Sequence, residues 1–81
     1  MLDPKLKPFE ILALAIRSEI EAANFYIKLQ ESVKNKILEQ KLKFLIFEER
    51  QHRKILERLF SQRFAGRALE IPERSLLPAP H

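Results

Sequence analysis

Apolar residues recur every three or four positions over two long stretches of the chain, separated by one short polar break. In the first stretch Phe9, Leu12, Ile16, Ala23, Tyr26 and Val33 keep this spacing, and Glu19 and Gln30 fill the same series. In the second, Leu38, Leu42, Leu45, Leu56 and Leu59 do so, with Glu49 and His52 in the series. That period belongs to α-helices with one packed face. Pro4 and Pro8 precede the first stretch, where proline suits a first helical turn. The break runs from Ser32 to Lys36, and Asn35 is placed to cap a second helix. Gly66 stands where a helix-terminating glycine belongs. The pattern therefore predicts an all-α fold. An antiparallel two-helix hairpin occupies residues 8–65, and a proline-containing tail or linker with Pro72, Pro78 and Pro80 occupies 66–81. Glu39 and Lys43 are four apart in the favourable order for a supporting ion pair.

Two helices cannot enclose their own seam. Ile11, Leu14 and Phe25 on the first helix and Phe44, Ile46 and Phe47 on the second widen the apolar surface beyond one stripe. The chain has 81 residues, and a domain of that size buries little more than about 60% of its unfolded surface. With no cysteine, neither a disulfide nor a thiolate zinc site can reinforce it. What remains is a metal held by carboxylate and imidazole, burial against another copy or a second half, or cover from Leu76 and Leu77 of the tail. A homodimer or higher homo-oligomer, or a C-terminal second half, would complete a four-helix bundle. The single glycine leaves no glycine-rich phosphate loop. The net charge is +4, but Glu39 and Glu57 interrupt the basic residues of the second helix and no aromatics alternate with them, so no nucleic-acid partner is expected. The longest apolar run, Ile11 to Ile16, is far short of the ~20 residues of a membrane span. No secretory leader is visible, and the expected location is cytoplasmic, with no membrane partner.

Glu19, Glu49 and His52 interrupt an otherwise apolar seam, where charge is rarely buried without a partner or a metal. With the turn near residue 34, Glu19 faces Glu49 and both lie roughly 22 Å from the turn at ~1.5 Å per residue. Glu49 and His52, three apart, share a helix face. Two-fold symmetry would gather four carboxylates and two imidazoles, which two divalent cations would neutralise. Oxygen-rich ligation with one imidazole per metal suits iron or manganese better than structural zinc. A glutamate from each of two helices and Glu-x-x-His from each of the other two is a recurring dinuclear arrangement in helical bundles.

The stretch Ala15-Ile16-Arg17-Ser18-Glu19-Ile20-Glu21-Ala22-Ala23-Asn24-Phe25-Tyr26 resembles the first-helix motif of rubrerythrin-like, ferritin-like proteins. Glu48-Glu49-Arg50-Gln51-His52 followed by Leu56 resembles their Glu-x-x-His helix. The resemblance covers about residues 8 to 64. It implies a ferritin-like bundle with two iron ions, or manganese or zinc in their place. Glu19 would be a terminal or bridging ligand, Glu49 a bridging ligand and His52 a terminal one, the three forming both the metal and the catalytic set. Tyr26, seven residues after Glu19, would donate a hydrogen bond to the ligands. The implied activity is that of an oxidoreductase oxidising Fe(II) with O2 or hydrogen peroxide, as a ferroxidase or a peroxide reductase in iron handling or oxidative-stress defence. Two helices stand where full-length rubrerythrins have four. The four cysteines of a rubredoxin-like domain are absent, so electrons would come from an external donor. The chain is thus similar to a half-ferritin that dimerises, as encapsulated ferritins do inside a protein nanocompartment, or to the first half of a two-repeat protein. The competing expectation is a non-enzymatic helical oligomerisation or interaction module, with Glu19, Glu49 and His52 forming only a polar network.

Overall fold

A computed structural model describes residues 4–73. Helix α1 (Pro8–Ser32) and helix α2 (Lys36–Arg63) pack against each other along the hairpin, and the described residues contain no strand. At the start of α1 the Lys7 amide donates to Glu10 Oε1 at 2.9 Å, one half of a capping box. Val33 then turns extended and stops the helix. Asn35 caps α2 as the sequence predicts: its Oδ1 accepts from the amides of Ile37 (2.9 Å) and Leu38 (3.1 Å). Beyond α2, Gly66 adopts φ 87°, the left-handed conformation that a Cβ disfavours. The Glu39–Lys43 pair forms at 3.5 Å. No helix among the described residues is long and apolar enough to cross a membrane.

The contact between the helices is narrower than the apolar surface. Ala13, Ile16, Ala23 and Tyr26 of α1 are buried, as are Leu42, Ile46 and Phe60 of α2. Among these, Ile16 is the one large side chain with no exposure at all. Leu38, His52 and Leu59, expected on the shared seam, stand exposed instead. The physical reason is that the apolar arc of α2 is wider than the strip α1 covers. Its Leu42–Ile46–Phe60 edge meets α1, while the edge carrying Leu38, His52, Ile55 and Leu59 remains open. Ile11, Phe25 and Leu29 give α1 a matching exposed edge. Ile11, Leu12 and Ala15 line one groove with Leu59, so the two edges form a single open face. Of the further apolar residues, Leu14 and Ile46 are buried, and Phe44 and Phe47 are exposed.

The opposite groove is polar and laced by Arg17–Glu21 (3.6 Å) and Arg53–Glu57 (3.2 Å). The first part of the tail is seated. The Arg67 guanidinium lies 3.8 Å over the Phe9 ring, which meets Phe64 edge-on at 6.1 Å. Ala68 and Pro72 line a cavity of about 390 Å³ together with Phe9, Leu14 and Phe60. This segment lies at the end of the hairpin away from its turn, and among the described residues none covers the face carrying His52. Leu76, Leu77, Pro78 and Pro80 lie outside the described residues.

Candidate metal centre

Glu19 projects from the middle of α1, and Glu49 and His52 from one face of α2. The helix pairing brings the three together: one ligand-type atom from each lies within 4.8 Å of the others. His52 Nδ1 is 3.5 Å from Glu19 Oε2 and 3.9 Å from Glu49 Oε2. The carboxylates are recessed, whereas half of the His52 side chain is exposed on the open face (51%). The apolar neighbours one turn away on α1, Ile16 and Ala23, are buried and limit water access to Glu19.

Glu19 Oε2 is buried without a hydrogen-bond partner. An orphaned carboxylate oxygen is expensive away from water unless a proton or a cation satisfies it. Burial pushes the Glu19 carboxyl up to about 7, helped by a hydrogen bond with Glu49 and by the Glu49 charge, while His52 pulls the other way. Two oxygen donors and one nitrogen donor around an unsatisfied oxygen fit a divalent cation of the iron or manganese kind. Three donors from one chain leave the coordination of such an ion unfinished on the His52 side.

Tyr26, expected as a hydrogen-bond donor to the ligands, sits on the buried face of α1. It lies two turns from Glu19, about 10 Å along the axis, and is buried with Ala22, Leu42 and Ile46. Phe25 meets its ring edge-on at 5.7 Å. Asn24, Arg50 and Arg53 escape a reading based on the seam. They line, with Glu19 and Glu49, a small cavity on the polar side. Their signal in the sequence is the placement of two arginines one and four residues after Glu49.

No individual curated protein and no solved structure matches the chain. The sequence profile of the rubrerythrin family, however, matches residues 10–79, through both helices and into the tail. With a helical hairpin that gathers Glu19, Glu49 and His52, the match shows that the chain belongs to the rubrerythrin family, a ferritin-like, di-iron-type family of iron-binding proteins.

Proposed function

We propose that this chain supplies half of a dinuclear iron centre and that a second copy on the open face, or a second half, supplies the rest. Two sets of Glu19, Glu49 and His52 would then provide four carboxylates to balance two divalent cations, with one imidazole for each. The observation that carries this reading is the convergence of the three side chains at the edge of an unclosed apolar face. Glu19 and Glu49 would hold iron through oxygen and His52 through nitrogen. A bound iron pair supplies two electrons, enough with two protons to reduce hydrogen peroxide to two waters. Glu19, whose carboxyl burial raises to about 7, would give up its remaining proton when a cation arrives. Ile16 and Ala23 hold water back from the carboxylate, and Tyr26 keeps α1 seated on α2. The function is oxidation of Fe(II) by O2 or hydrogen peroxide, as a ferroxidase, or as a peroxide reductase fed by an external donor.

Anaerobic titration with Fe(II), with molar mass measured by light scattering on the same sample, tests this. The expected result is two irons per two chains and a near-ultraviolet absorbance that grows on oxidation. Glu49→Ala and His52→Ala should each lose stoichiometric iron. Monomers without iron would overturn completion by a second copy and leave either a missing second half or an interaction module.

A further inference from the structure

The side of α2 turned away from α1 is both apolar and basic. Phe44 follows the buried Leu42 by two residues and Phe47 follows it by five. At ~100° per residue they stand about 200° and about 140° round the helix from that contact. Phe44 is 60% exposed and Phe47 58%, and Ile37, two turns before Phe44, is 70% exposed. Charge on α2 is sorted as well. Its glutamates, Glu39, Glu48, Glu49 and Glu57, are all half-buried, whereas its lysines and arginines are all exposed except Arg53. Lys43 pairs with Glu39 and Arg53 with Glu57. Among the described residues Lys36, Lys41, Arg50, Lys54 and Arg58 form no ion pair. Beside Phe47, a groove is lined by Arg50, Gln51 and Lys54. An exposed apolar patch rimmed by unpaired charge of one sign marks an interaction surface.

We propose that this outer face of α2, centred on Phe44 and Phe47, docks an acidic segment of a partner protein that also carries apolar side chains. The unpaired cations attract and orient carboxylates, and the two rings are anchors that gain most from leaving water. A second copy does not suit the face, because two-fold pairing would set cations against cations. A bilayer does not suit it either. Gln40 and Gln51, four residues before Phe44 and four after Phe47, lie along the same stripe. A peptide backbone can bond their amides, and acyl chains cannot. A nucleic-acid backbone would match the cations and leave both rings in water. The face is separate from the edge that carries His52, so docking needs no metal.

A random peptide library displayed on phage is a suitable probe. Selection on the native chain should enrich peptides that combine Asp or Glu with apolar residues. A selected peptide, labelled with fluorescein and followed by anisotropy, should bind the double variant Phe44→Ser, Phe47→Ser about tenfold more weakly or worse. Lys54→Glu keeps both rings and should weaken binding about threefold or more, and added salt should lower the native affinity. It decides the matter if circular dichroism shows that the double variant has lost helix. Lys28→Glu makes the same charge change at an exposed position of α1 and should stay within about twofold. Selected peptides without acidic residues, native-like binding by a folded double variant, or equal weakening by the Lys28 and Lys54 variants would overturn the proposal. So would tighter binding of phosphatidylglycerol vesicles, or of a DNA duplex, than of any selected peptide.

Discussion

At Glu19 two demands conflict: the position is apolar enough to bury a carboxylate oxygen, and the chemistry needs that carboxylate ionised. Without metal, a carboxyl raised from 4.5 to about 7 holds a proton that the unfolded chain has already released. The folded state therefore binds more protons between these values, and stability falls as pH rises through that window. In chelator, the melting temperature should decline from pH 5 to pH 8, and Glu19→Gln should remove this part of the decline. Metal binding has the opposite slope. Each proton displaced makes apparent affinity fall about tenfold per pH unit below about 7. Zinc affinity measured against pH should show that dependence in the native chain. Glu19→Gln, which cannot ionise, should lose most of the affinity at every pH.

The helices depend on a few local devices, and these were the most legible part of the chain. Asn35 caps through its own side chain and Gly66 supplies a positive φ, both consequences of local chemistry that one residue type satisfies well. Asn35→Ala should lower stability by about 1 kcal/mol, seen as a lower urea midpoint with an unchanged slope. A Cβ at Gly66 would meet no atom within 4 Å. Gly66→Ala should therefore cost only the backbone term, about 1 kcal/mol. The rotation of α2 was less legible. Leu38, His52 and Leu59 share a heptad series with Leu42 and Glu49, and periodicity alone cannot divide an arc between a neighbour in the chain and one outside it. The packing of Ala68 and Pro72 beside Leu14 left no periodic trace at all. The Glu19–Glu49–His52 set was readable because one short spacing, Glu49 to His52, and one helix reversal define it. The cavity beside Arg50 was not, because it depends on how far the helices stand apart.

The described residues extend over 44 × 25 × 15 Å. A single layer of two helices has no true interior, which is why so little beyond Ile16 is fully shielded from water. The second layer proposed for the open face would supply what two helices lack, and the positions that would meet it can be separated from those that would not. Ile55→Lys places a charge on the edge carrying His52. It should reduce the molar mass in solution to that of one chain and abolish stoichiometric iron. Phe47, equally exposed, stands beside Arg50 and Lys54 rather than on that edge. Phe47→Ser should leave both molar mass and iron content unchanged.

The three-residue connection between Ser32 and Lys36 carries a kinetic consequence. Contacts near a tight turn close first, because little chain entropy is lost in closing a short loop. Tyr26 and Leu42 are among these. Glu19 and Glu49 each lie fifteen residues from Lys34, so they meet only after the hairpin has zipped past them. A cation held between them would therefore act late in helix pairing. It should lengthen the lifetime of the folded hairpin and leave the rate at which the hairpin forms unchanged.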